Sequence, residues 1–281
     1  MRLIAYSRSG RHGIAVKRGD IWRDLGAFDP LEAVSGSAAF RALVNAADDA
    51  PQLDRRSVVA LPPVPRPGKI ICVGLNYADH TAESPYEQPG YPTLFPRFAT
   101  SLIADRAPLV RPRNSIELDF EGELAVVIGS AVRGVPAERA LECVAGYSIF
   151  NDGSIRDYQF KTPQWTVGKN FDGTGAFGPE LVTPDELPEG AKGLAIQTRL
   201  NGETVQQANT SDMIYSVAEL IATIGEAITL EPGDVIATGT PAGIGWARNP
   251  KLFMKPGDVV EVEIEGIGIL HNTVEDEASA A

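Results

Sequence analysis

The chain has 281 residues, 43% hydrophobic and 22% charged, the balance of an ordinary globular protein with length for one large domain and a small companion. Its 25 basic and 37 acidic residues leave a formal charge of −12, which repels nucleic acid and anionic membrane surfaces. Cys72 and Cys143 lie in apolar segments and offer no disulfide framework, which points to a reducing, cytoplasmic setting. No run approaches the roughly 18 apolar residues that span a bilayer.

From the amino terminus, RLIAYSR, HGIAVKR and IWRDL read as short strands divided by the turn pairs Ser9-Gly10 and Gly19-Asp20. A helix is expected around Ser37 to Ala50. The stretch LPPVPRPG (61–68) is too rich in proline for a helix, so the boundary falls there. This predicts a small amino-terminal α+β domain at 1–66 and a catalytic domain at 67–281. Beyond the boundary, KIICVGL (69–75), ELAVVIG (123–129), AIQTRL (195–200), ETVQQ (203–207), DVIATG (234–239) and VVEVEIEG (259–266) read as strands. Asn201-Gly202 between two such runs signals a tight hairpin, since both turn residues must accept positive φ. The clearest helix is SVAELIATIGEAI, opened by the capping box of Ser216 and Glu219. Strands outnumber helices without regular alternation, so the class is mainly β with some α, and neither a Rossmann fold nor a TIM barrel. The chain closes on a small-residue tail, ASAA (278–281).

Glu117, Asp119, Glu121 and Glu123 recur at every second residue, so an extended segment would line their carboxylates along one face. Like charges so placed need solvent, protons, basic partners or a metal ion. Asp152 ends another apolar run in GYSIFND, where a turn can bring a side chain into a cleft. Carboxylates with no cysteine set, in a chain of only three histidines, favour a hard, oxygen-preferring ion, Mg²⁺ or Mn²⁺. In GLNYADHTAESPY, His80 and Glu83 share one face if the segment is helical, and a carboxylate beside an imidazole orients it for general-base work. The loop GTPAGIG has glycines that would let backbone amides approach a carboxylate, without a P-loop ending. His12 and His271 are expected to be structural or merely exposed.

These segments together, with LDFEGELAVVIG, NDGSIRDYQ and WTVGKNFDGTGAFGP, resemble the fumarylacetoacetate hydrolase superfamily from about Gly68 to Thr273. The resemblance implies a β-roll or sandwich catalytic domain and assigns the metal to Glu121, Glu123 and Asp152. Asp119 matches a family position but is not assigned to the metal. The resemblance makes His80 and Glu83 a water-activating dyad in a mobile segment, Lys169 an electrostatic clamp, and Gln159 and Thr240 substrate contacts; Ser84–Pro92, rich in proline and glycine, is expected to be the hinge or lid of that segment. Arg97 stands where many relatives carry lysine and is taken as a further contact to the substrate. The resemblance further implies a homodimer that cleaves the carbon–carbon bond of a small diketo acid, such as maleylpyruvate or fumarylpyruvate, to pyruvate and a carboxylic acid. Oxaloacetate-type decarboxylation or isomerisation of a 2-hydroxy-diene-dioate are alternatives, and a catalytically idle metal- or ligand-binding protein is the non-enzyme alternative.

Overall fold

The computed structural model describes residues 1–278; the last three residues of the ASAA tail, 279–281, lie outside the described residues. The strand Gly122–Ile128 is buried along its whole length because it is covered on both faces. Leu124, Val126 and Ile128 pack with Leu220 and Ile224 of a helix and with Ile196 and Val262 of a second sheet. Ala125 and Val127 pack with Phe150, Phe177 and the amino-terminal Val34 and Phe40. Burial on both faces removes the polar alternation, which is why ELAVVIG reads as a continuous apolar run.

Around this strand the main sheet runs Ile21–Ala27, Arg11–Arg18, Arg2–Arg8, Gly175–Val182, Val144–Asp152, Gly122–Ile128, Val235–Ala237, Ile70–Gly74, Thr93–Arg97. Val235–Ala237 and Ile70–Gly74 pair in parallel; the other neighbours along this path are antiparallel. The second sheet runs Glu203–Asn209, Ala195–Leu200, Val259–Ile264, Gly268–Asp276, Leu109–Arg111. The protein is therefore a mainly β sandwich with some helix, open at its edges. Arg2–Arg8 hydrogen-bonds to Gly175–Val182, so the first three strands extend the main sheet. Val59–Leu61, which ends on the first residue of the proline-rich stretch, pairs with Arg2–Arg8.

Local rules account for several elements. Asn201 and Gly202 take φ of +53° and +83°, as the hairpin demands. Ser216 Oγ accepts from Glu219 N and Glu219 Oε2 accepts from Ser216 N at 2.8 Å, opening the helix Val217–Ala227. The expected helix after Ser37 covers Ala38–Asn45, and one tighter turn at Ala47–Asp49 replaces its last part. A five-residue helix, Pro30–Val34, escapes sequence reading because it is too short to show periodicity; Asp29 caps it.

The single line of four carboxylates does not form. Asp119 Oδ1 accepts from the next residue's N–H, Phe120 N, at 2.8 Å. The chain breaks there into Leu118–Asp119, paired with Ser154–Ile155, and the strand that begins at Gly122. Asp119 therefore leaves the row, and Glu117 is only half-buried.

Candidate active site

The ladder pairs Gly122 with Asn151 and Glu123 with Phe150, and Asp152 N donates to Glu121 O at 2.9 Å. This register sets Glu121 opposite Asp152 and places Glu123 two residues along on the same face. One carboxylate oxygen from each lies within 4.8 Å of the others, and all three residues are buried.

Three cations answer this charge. Lys169 Nζ lies 2.8 Å from Glu121 Oε2 and 2.7 Å from Asp152 Oδ2. Arg156 Nη1 lies 2.7 Å from Glu121 Oε1. Arg97 bonds Asp152 Oδ1 through Nη1 and spends its other donors on Gly153 O, Thr174 Oγ1 and Ser101 Oγ. Burial pushes the Glu121 carboxyl up, but Lys169, Arg156 and His80 outweigh it and bring it down to about 2. Burial works against the Lys169 ammonium, yet Asp152 and Glu121 hold its pKa above the usual lysine range. Among the described residues no cation is bonded to Glu123. Burial, and then the charges of Asp152 and Glu121, push its carboxyl well above the usual range, leaving Gly239 N at 2.9 Å as the donor to its Oε2.

The segment Ala78–Glu83 is helical, and His80 Nδ1 meets Glu83 Oε1 at 2.9 Å. Glu83 is held in turn by Gly243 N at 2.9 Å and Ile244 N at 3.4 Å. The glycine-rich loop thus grips carboxylates, as its composition suggests, but they belong to the protein. Gly239 N holds Glu123, Gly243 and Ile244 hold Glu83, and Gly245 N and Trp246 N hold Asp119 at 2.7 and 2.9 Å. Gly243 has φ +105°, and a Cβ there would lie 2.2 Å from Val205 O, so glycine is required.

These groups border a cavity of about 30 Å³. His80, Glu121, Glu123, Gln159, Lys169 and Thr240 line it; Glu83 and Asp152 support it from behind their neighbours. Thr240 Oγ1 donates to Gly122 O and accepts from Gln206 Nε2, and Gln159 Oε1 accepts from Arg156 Nη1 at 2.8 Å. Arg97 does not border the cavity. Its fully buried guanidinium lies against Asp152, which makes it a holder of that carboxylate in this structure. His12 is exposed and His271 half-buried, and neither lines the cavity.

Arg156 is the residue that sequence reasoning passed over. It lies four residues after Asp152 within NDGSIRDYQ, lines the cavity, and bonds Asp119 Oδ2 through Nε at 2.8 Å. Among the described residues its buried Nη2 has no partner. Burial opposes its charge, but Asp119 and Glu121 outweigh it and raise its pKa. The legible signal was an arginine four residues after Asp152, close to a ligand candidate and beside the apolar Ile155.

Residues 69–275 match the fumarylacetoacetate (FAA) hydrolase C-terminal domain. The chain belongs to the fumarylacetoacetate hydrolase family. It is 39% identical over 290 residues to a mitochondrial oxaloacetate tautomerase of Xenopus laevis, covering 98% of this chain and 90% of that protein. Among solved structures, a putative HpcE protein from Mycobacterium smegmatis superposes with a TM-score of 0.86 at 37% identity, covering 99% of this chain and 100% of that one. Maleylpyruvate hydrolase from Sphingobium sp. SYK-6, in complex with manganese(II) and pyruvate, does so at 0.82 and 27% identity with the same coverage. Members of this family are enzymes. The donor set here also suits a divalent ion: it is all oxygen, it is buried, and the raised carboxyl of Glu123 marks a deficit of positive charge that such an ion relieves. Among the described residues no helix is long and apolar enough to cross a membrane.

Proposed function

We propose that the protein interconverts the keto and enol forms of a small 2-oxo diacid of the oxaloacetate type, at a Mg²⁺ or Mn²⁺ centre held by Glu121, Glu123 and Asp152. The observation that carries this reading is the unpartnered Nη2 of Arg156 on the same cavity as the acid triad. An ion and Lys169 answer one carboxylate and a 2-oxo group; a second carboxylate needs a further cation, and Arg156 has a buried donor left for it. The likeness over nearly the whole chain to an oxaloacetate tautomerase supports the same choice.

When bound, the ion would supply Lewis-acid polarisation of the 2-oxo group. The chain's own residues do the rest. His80 has Nδ1 committed to Glu83, so Nε2 is free to take the proton from C3 and return it at the enol oxygen, a net transfer with no other reactant. Glu83 keeps the ring oriented because two loop amides hold it. Lys169 opposes the negative charge that grows on the 2-oxo oxygen. Gln159 and Thr240 border the ligand and orient it.

Carbon–carbon hydrolysis of an acylpyruvate is the second reading. The preformed His80–Glu83 pair favours it, since the same Nε2 would activate water, and so does the likeness to maleylpyruvate hydrolase. A spectrophotometric panel separates the two. Ketonisation of enol-oxaloacetate, pyruvate release and acylpyruvate loss are followed with Mg²⁺, with Mn²⁺ and after chelation. Ketonisation above the rate of the ion alone supports the first reading. Acylpyruvate loss without it supports the second, and no turnover in any arm leaves an idle binding protein. A homodimer in a reducing compartment completes the proposal; Cys72 and Cys143 are buried and unpaired.

A further inference from the structure

We propose that Phe160 and Trp246 set the length of the substrate, closing the site to 2-oxo acids much longer than four carbons. The inference rests on the functional reading above and names its substrate class more narrowly.

Aromatic side chains share the apolar part of the cavity wall with Val73, Leu75, Pro85 and Ile244. Tyr86, Trp165 and Phe95 form one run, with ring centroids 5.5 and 5.4 Å apart, and Trp165 is pressed so close to Gly74 that a Cβ there would lie 2.4 Å from its ring. Phe160 and Trp246 form the other part, 5.0 Å apart and tilted by 45°. Both rings are tied to Arg156. Phe160 follows Gln159, whose Oε1 accepts from Arg156 Nη1. Trp246 N donates to Asp119, the carboxylate that also accepts from Arg156 Nε. Lys251 Nζ stands 5.0 Å from the centroid of the Trp246 ring.

Arg156, Phe160 and Trp246 line the same cavity. Phe160 and Trp246 are the rings that carbons added beyond a carboxylate at Arg156 would have to displace. The basic groups on the wall are His80, Arg156 and Lys169, and none is left for a carboxylate at the end of a longer tail. A maleylpyruvate-sized acid would set its distal carboxylate against these rings with no cation opposite it, an unpaired charge that the site disfavours.

The test uses the Mn²⁺-loaded full chain and calorimetric binding of oxalate, 2-oxobutanoate and 2-oxooctanoate. Oxalate has no tail and reports the chelating site alone. Wild type should bind 2-oxobutanoate at least about tenfold more tightly than 2-oxooctanoate, within the range by which pockets discriminate methylenes. In Phe160→Ala and Trp246→Ala that gap should close while oxalate binding is unchanged, and in Trp246→Phe the gap should persist. The inference is overturned if wild type binds both 2-oxo acids equally, a result that needs no variant, or if the gap survives both alanine substitutions with oxalate binding intact. Failure of wild type to bind oxalate overturns instead the functional reading on which the inference stands.

Discussion

Glu121 and Asp152 stand opposite one another across an antiparallel ladder, with Lys169 Nζ 2.8 Å from the first and 2.7 Å from the second. Like charges facing each other across a sheet are destabilising. The pair persists because an ammonium bridges it and because Arg156 and Arg97 take the outer oxygens. Glu123, two residues away, lacks such help, and the two acids should respond differently to neutralisation.

Asp152→Asn should remove ion binding and also lower stability by about 3–5 kcal/mol, since it leaves Lys169 and Arg97 buried beside an uncharged group. Glu123→Gln should remove ion binding while the metal-free protein stays as stable or gains, because its carboxyl is already pushed towards the neutral form. Mn²⁺ titration by electron paramagnetic resonance and urea unfolding of both variants give the comparison. Equal destabilisation by the two changes would refute this account.

Ion binding should strengthen as pH rises. The raised Glu123 carboxyl favours the folded metal-free protein below the ordinary carboxylate pKa, and that contribution fades as pH climbs through the raised value. An ion needs the ionised form, so binding below that value should release about one proton. Calorimetry in two buffers of different ionisation enthalpy measures it, and no proton release at mildly acidic pH would count against the assignment.

His80→Ala should slow ketonisation, and any acylpyruvate cleavage, at least ~100-fold, the lower range for loss of a general base. Mn²⁺ affinity should survive, because His80 is not one of the three carboxylates. Decarboxylation of oxaloacetate needs no proton abstraction and should fall much less. Equal losses in all three reactions with the ion still bound would dissolve this division of labour.

Arg156→Lys keeps the charge but loses the fork that spans Asp119, Glu121 and Gln159. Replacing such charged hydrogen bonds should raise KM for the diacid about 10-fold or more, while oxalate, with no distant carboxylate, binds nearly as before. Steady-state kinetics set against oxalate inhibition decides it; a parallel loss of both would make Arg156 a scaffold residue only.

Light scattering across working concentrations should report a dimer. Phe98 and Val167 are 53% and 59% exposed on either side of Asn170, whose Oδ1 accepts from Phe98 N and whose Nδ2 donates to Thr166 O. Charged substitutions at both positions should shift the mass towards that of the monomer if this face is buried in the pair.

Short-range chemistry was legible in the chain itself. Asn201-Gly202 dictates its hairpin through positive φ, Ser216 and Glu219 cap a helix through reciprocal bonds, and three-residue spacing brings His80 to Glu83. The alternation of acids also placed Glu121 and Glu123 on one face. Tertiary structure alone decided which charge meets which. Glu83 is held from 160 residues away by Gly243, and Asp119 from 126 residues away by Gly245, so the glycine loop serves the protein's own acids. Arg156 gains its role only when the ladder of Gly122 against Asn151 is in register, and that register is set by packing Gly122–Ile128 on both faces. Local sequence specifies dihedral angles and neighbours one turn away. The partners of a buried charge depend on which distant strands share its core, and no spacing rule encodes that.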